Sequence, residues 1–425
     1  MSRKFSGSTL SLSALLALLS ANVAHATSGY FASGYGINNE AVAGVGAALP
    51  QDALTIAINP AGLTQVGHQL NIGVDVFVPD RSASIAGNAF GQDASYDGNG
   101  VKTFYIPNIG YSHPLNDDVT LGIAAYGNGG MNTNYKSNPY ARFGATGTAG
   151  VNLEQLFVSP AVGWKINEHN SIGIAANIVY QRFNAKGISV FGGFSQDPSH
   201  ISNNGNDDSY GVGARIGWIG KVNDYLSLGA SYQTKTRMSK FDQYAGLFAD
   251  SGRFDVPENY TLGLAVKPFN NLTIGFDWQR ILYSDVAAVG NTFGVLLQGK
   301  PLGAKAGPGF GWQDVDVYKL GAVWQATPKL TVRGGFSLNQ QPIPKNETFL
   351  NILAPATIEK HLTLGASWAI NQKDDLSASY IHAFDQKVNG ANSIPVGFPP
   401  SGFGGGNANI ELQENSYGVA WNHKF

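Results

Sequence analysis

The sequence predicts an all-β fold, a 14-stranded antiparallel transmembrane β-barrel with an N-terminal hatch in its lumen. Three observations predict it. Segments alternating apolar with polar or small residues recur along most of the chain, a few residues and long polar or Gly-rich stretches join them in turn, and an export leader precedes them. Outer-membrane barrels have this asymmetry, with short periplasmic turns and long outer loops. A soluble sandwich has no reason to gather its long connections at one end.

The leader comes first. Ser2, Arg3 and Lys4 precede an apolar run from Leu10 to Ala21, and Ala24-His25-Ala26 gives the small-x-small pattern of a cleavage site. The run falls short of the ~20 apolar residues that span a bilayer, so residues 1–26 read as a cleaved signal peptide. Beyond it no segment approaches a spanning helix, although 43% of the residues are hydrophobic and only 13% are charged. Dispersed apolar content is what a barrel requires, because only every second residue meets lipid. The 18 tyrosines, 23 phenylalanines and 7 tryptophans fit interfacial belts, and the absence of cysteine rules out a disulfide framework. Without Arg3 and Lys4 the 27 basic residues become 25 against 29 acidic ones, a net charge of −4. Neither sign dominates, which argues against a nucleic-acid partner.

The strands read as 68–87, 101–114, 119–135, 151–166, 170–190, 209–222, 225–241, 253–267, 271–285, 312–326, 329–341, 356–370, 374–389 and 411–425. Leu362, Leu364, Ala366 and Trp368 face one side, opposite Thr363, Gly365 and Ser367; Leu272, Ile274, Phe276 and Trp278 likewise oppose Thr273, Gly275, Asp277 and Gln279. Such a period-two pattern would scatter its apolar residues around a helix. The short connections, Asn223-Asp224 and Thr327-Pro328 among them, are rich in Asn, Asp and Pro, as tight turns should be. Tyr417, Val419, Trp421, His423 and the terminal Phe425 share one face of the last strand, a pattern that resembles the signature read by the barrel-assembly machinery.

Residues 27–67 are apolar and Gly/Ala-rich but do not alternate. A barrel this wide leaves an interior to fill, so the segment is expected to fold into it as a plug. The domains are therefore 1–26 (signal peptide), 27–67 (hatch) and 68–425 (barrel).

Several motifs here resemble one family. Ser28-Gly29-Tyr30-Phe31, Gly34-Tyr35-Gly36, Gly44-Val45-Gly46-Ala47-Ala48, Gln51-Asp52-Ala53 and above all Asn59-Pro60-Ala61-Gly62 resemble the hatch of the FadL/TodX outer-membrane transporters of fatty acids and other hydrophobic compounds. The likeness continues through Phe104-Tyr105-Ile106-Pro107-Asn108, Gly127-Asn128-Gly129-Gly130-Met131-Asn132 and Pro257-Glu258-Asn259-Tyr260, and covers essentially all of the mature chain. The resemblance implies a monomer in the outer membrane of a Gram-negative cell, among its lipids and lipopolysaccharide, without cofactor. It also implies capture of an apolar molecule among the outer loops, hatch rearrangement, and sideways exit where the third strand kinks.

Gly127, Asn128, Gly129 and Gly130 match that kink. Glycines weaken a ladder and mark bulges or close backbone approaches, so a lateral opening and an ordinary bulge are both open readings. Asn59, Pro60 and Ala61 read equally as a rigid turn or as one that moves with substrate. Tyr140, Phe143, Phe191, Phe194 and Phe248 read either as a substrate groove, since exposed apolar residues in loops mark interaction sites, or as loops packing on one another above the barrel; Met131, in the third strand beside the glycines, is a pocket candidate with them. Family members that carry fatty acids place a basic residue at the start of the tenth strand, where this chain has Gln313; that substitution favours neutral hydrocarbons. Arg215, Asp277, Lys319 and Arg333 face inward by parity and are expected to pair with one another or with the hatch, since a charge in a crowded lumen needs a partner; a displaced carboxylate clamp is the alternative.

Two other classes make different demands. A lipase needs a Ser within reach of a His, but there is neither G-x-S-x-G nor H-E-x-x-H, and His382 shares a face with Tyr380 and Phe384 while Ser377 and Ser379 point the other way. No catalytic or metal-ligating set is identified. A general diffusion porin needs an open, charged lumen, where residues 27–67 and inward Gly, Ala, Ser and Thr are found instead.

Overall fold

The computed structural model describes residues 27–397 and 402–425, so the signal-peptide reading lies outside the described residues. Barrel strands run Gln69–Ala86, Phe104–Pro114, Val119–Asn132, Gly150–Lys165, Asn170–Lys186, Asp207–Asn223, Leu226–Gln233, Asn259–Phe269, Leu272–Ile281, Val315–Gln325, Leu330–Asn339, Lys360–Ala369, Asp374–Val388 and Asn407–Lys424. Each pairs antiparallel with the next, and the last closes on the first from Lys424↔Gln69 to Asn407↔Ala86. A closed ladder satisfies its own backbone groups, which the hydrocarbon of a membrane demands.

Several ends differ from the sequence reading. The seventh strand stops at Gln233, and Arg237–Met238 then pairs back onto the sixth. The eighth begins at Asn259, the ninth ends at Ile281, and the tenth begins at Val315. At the eighth and ninth strands apolar parity continues past the ladder through Phe254, Val256 and Tyr283, because these loop residues are themselves buried.

The outer face is apolar and banded. Trp164, Trp324, Trp368 and Trp421 are exposed beside the short-turn ends of their strands, and Tyr105, Tyr210 and Tyr318 beside the long-loop ends. Two aromatic girdles flanking an aliphatic belt are the signature of a membrane barrel.

The inner face is occupied. Residues 27–66 pack against it as the strand pair Thr27–Ser28 and Phe31–Ala32, two helical turns at Ile37–Glu40 and Leu63–Val66, and the 3-10 turns Ala53–Ala57 and Pro60–Gly62. Inward glycines give the space. A Cβ on Gly217 would lie 1.9 Å from the Asn59 side-chain oxygen, and one on Gly229 would lie 2.0 Å from the Ala47 carbonyl oxygen. The small inward residues that interleave the lipid-facing Leu and Ile thus match the backbone they accommodate.

Candidate functional site

Asn59 fastens the segment to the wall. Its side-chain oxygen accepts from the Ala61 N–H at 3.1 Å, capping the Pro60–Gly62 turn, while Nδ2 donates to Ala47 at 2.6 Å and to the carbonyl of Trp218 on the sixth strand at 3.0 Å. Asn59 and Ala61 are fully buried. Asp277 accepts from the Gly46 and Ala47 N–H groups at 2.8 and 2.9 Å. Lys319, its cross-strand neighbour, donates to the Ser33 carbonyl at 3.3 Å. Arg215 donates to the Ile58 carbonyl at 3.1 Å, and Arg333 to Gln51 at 3.0 Å and Ser367 at 2.6 Å. Each of these four inward charges thus holds residues 27–66.

Wall and segment meet at the third strand. Its ladder with the second strand runs from Pro114↔Thr120 only to Ile109↔Ala125. Beyond that, Phe104 to Asn108 pair with the first strand on one side. The third strand continues along the fourth to Asn132↔Asn152, with a register shift between Gly127 and Gly129. Bulges end or redirect pairing. The place the ladder vacates is taken from inside: Phe31 pairs with Gly129, and the Gly130 N–H donates to the Tyr30 carbonyl at 3.2 Å. Gly129 permits this, because a Cβ there would lie 1.7 Å from that carbonyl oxygen. Asn128, fully buried in the bulge, accepts from the Tyr35 hydroxyl at 2.9 Å and donates to Gln155 at 3.0 Å.

Tyr283, from the loop after the ninth strand, organises the inner strand pair. Its hydroxyl accepts from the Tyr30 and Phe31 N–H groups at 3.1 and 3.3 Å and donates to the Ser28 carbonyl at 2.6 Å. Sequence reasoning missed it by carrying the ninth strand through residue 285.

Above this lies an aromatic column. Tyr140, Phe143, Phe191 and Phe194 contact Phe349 and Phe403 with ring centroids 4.8 to 6.0 Å apart. Below, Phe248 contacts Phe183 and Phe254, which leads to Tyr30, and Tyr30 to Phe31, Tyr283 and Trp312. Burial pushes the Tyr140 phenol well above its ordinary range, so it stays protonated and donates to the Phe349 carbonyl at 3.1 Å. Of the sequence candidates, Tyr140, Phe143, Phe191, Phe194 and Phe248 join this column. Met131 instead lines a cavity beside the third-strand bulge, together with Thr27, Phe77, Arg81 and Leu412. Gln313 belongs to neither: it is exposed, and Trp312 is the residue that turns inward there. Phe183, Phe254, Phe349 and Phe403 were not anticipated, since an inward Phe on a strand or an isolated loop Phe carries no local signal.

The cavities along the column and beside the bulge are small. The one beside Met131 has about 40 Å³, and another, lined by carbon from Phe183, Phe248, Phe310 and Leu350, about 10 Å³. A protein cavity that binds benzene has roughly 150 Å³. Passage of a solute therefore requires side chains or residues 27–66 to move.

A closed barrel with apolar girdles, a filled lumen and an apolar column ending at a break in the wall defines an outer-membrane transport protein. The chain matches the outer membrane protein transport protein family (OMPP1/FadL/TodX) over residues 23–424 and belongs to it. It is 23% identical to a long-chain fatty acid transport protein of Salmonella typhi, over 84% of this chain and 89% of that one. It is 21% identical to the Escherichia coli K12 protein of the same name, over 84% and 90%. The fold superposes on a Pseudomonas aeruginosa FadL homologue with a TM-score of 0.71 at 16% identity, covering 94% of this chain and all of that one. On the Pseudomonas putida toluene transporter TodX the TM-score is 0.66 at 18% identity, with the same coverage.

Proposed function

We propose that this protein takes up small neutral hydrophobic molecules, aromatic or aliphatic hydrocarbons, and releases them sideways into the membrane between its second and third strands. The observation that carries the reading is the interrupted ladder: Phe104 to Asn108 have a strand partner on one side, and residues 30 and 31 occupy the other side at the Gly127–Gly130 bulge.

The steps follow from the hydrophobic effect. An apolar solute gains about 0.8 kcal/mol for each CH₂ it removes from water, so a route that keeps it against carbon throughout avoids a barrier that an aqueous pore would impose. Phe143 and Phe194, part-buried at the top of the column, are the capture groups. The solute passes between Phe183, Phe248 and Leu350, then reaches Tyr30 and Phe31. Displacing that strand pair from Gly129 opens the wall to lipid, where an apolar molecule is more stable than in the periplasm.

Neutral substrates are favoured by the location of the cations. Arg215, Lys319 and Arg333 hold residues 27–66 below the column, and the carbon-lined cavity contains no basic side chain. Burying a carboxylate there without a cation costs several kcal/mol. Relatives named for fatty acids and for toluene leave both classes in view, so competition is the test. Cells lacking other uptake routes should accumulate labelled toluene faster than labelled long-chain fatty acid when this protein is expressed; the opposite preference would mean that one of the three cations, or Arg81, receives a carboxylate. The exposed Tyr417, Val419 and Trp421 on the last strand, with Phe425 just beyond it, support recognition by the barrel-assembly machinery.

A further inference from the structure

The nitrogen of Thr27 lies 2.8 Å from Oε2 of Glu414, and the Thr27 hydroxyl donates to Oε1 of the same carboxylate at 3.2 Å. Glu414 is 2% exposed, and it lines the cavity beside the third-strand bulge. A buried carboxylate needs a counter-charge, and leaving one without a partner costs several kcal/mol. Arg81 is the other charged side chain lining that cavity, and its guanidinium is directed to Asn99, Asn132 and the Val101 carbonyl. Residue 27 is also where the Ala24-His25-Ala26 pattern places the first residue of the processed chain.

We propose that hydrolysis of the Ala26–Thr27 peptide bond creates a buried ion pair, in which the new Thr27 α-ammonium meets the Glu414 carboxylate and pins residues 27–32 across the break in the wall. Water adds across the bond: Ala26 leaves with a carboxylate, and the Thr27 nitrogen, freed as an amine, takes a proton. A neutral amide donor is thereby replaced by a cation directly against the buried Glu414 carboxylate. Leader removal then does more than release the chain from the export machinery. It supplies the charge that latches the inner strand pair, whose next residues, Tyr30 and Phe31, lie on Gly129 and Gly130.

Intact-mass measurement on protein purified from outer membranes should give a chain beginning at Thr27. Acylation with acetic anhydride, which requires an accessible unprotonated amine, should modify the Thr27 amine at least about tenfold more slowly than the exposed Lys373 amine. In Glu414→Gln that difference should shrink to about threefold or less as the strand pair is released, with Glu414→Asp intermediate. A chain that begins elsewhere, or a wild-type Thr27 amine as reactive as that of Lys373, overturns the proposal. So does a Glu414→Gln protein that inserts normally and keeps the wild-type rate. If Glu414→Gln fails to insert, the wild-type rate and the Glu414→Asp rate decide alone.

Discussion

Asn59 and Tyr283 each bond several backbone groups of residues 27–66. Replacing Asn59 with Ala removes a cap and donors to Ala47 and Trp218, and leaving such groups unpaired should cost about 1–3 kcal/mol. Residues 27–66 would then dock less firmly while the barrel ladder is untouched, so limited proteolysis should cut that segment faster in an outer-membrane protein of normal abundance. Tyr283→Phe should act more narrowly, loosening residues 28–31 alone. The two residues differ in legibility. Asn59 was recognisable because Asn-Pro is a turn signal with a mechanism, whereas Tyr283 sits in an apolar alternation that runs past the true strand end at Ile281. Nothing local tells an inward ring of a strand from the ring of a loop that folds over the lumen.

Among the elements, the third strand and the loop after the seventh carry distinct expectations. Gly129→Ala places a methyl 1.7 Å from the Tyr30 carbonyl oxygen, so it should expel residues 30–31 from the wall while the pairing of the third strand with the fourth persists. Accelerated, less selective uptake should follow, measured as hydrocarbon flux into cells. In the outer loops, the Arg253 guanidinium 2.7 Å from Asp250 holds that carboxylate below its ordinary range, with Lys240 adding to the effect. A depressed carboxylate stabilises the folded loop above its unfolded value and loses that contribution as pH falls through the folded one. Amide exchange across residues 242–252 should therefore rise on acidification below about pH 4, and Asp250→Asn should abolish the dependence. The strand order, the short turns and the inward glycines could all be read from alternation. The interruption of the second ladder could not: Gly127 to Gly130 announced a bulge, but only tertiary pairing reveals that Phe31 takes the vacated place.

For the whole molecule, the proposed function divides the work between a self-sufficient wall and a filling, residues 27–66, that moves. Deleting residues 28–66 while keeping the leader and Thr27 should leave a barrel that inserts, since its strands satisfy their own backbone groups. Ion conductance in planar bilayers should rise about tenfold or more over the full protein. A deletion variant as tight as the parent would mean that the lumen is closed by the loops instead. Lateral release can be tested directly, because the sequence contains no cysteine. Continuing the register from Ile109↔Ala125 sets Pro107 opposite Gly127, so the double variant Pro107→Cys and Gly127→Cys can be bridged across the break by a short bifunctional thiol reagent. The cross-linked protein should lose hydrocarbon uptake, with activity returning when a cleavable linker is reduced and with no effect of the reagent on either single variant. Uptake that survives complete cross-linking at the wild-type rate would contradict lateral release and place the exit elsewhere in the barrel.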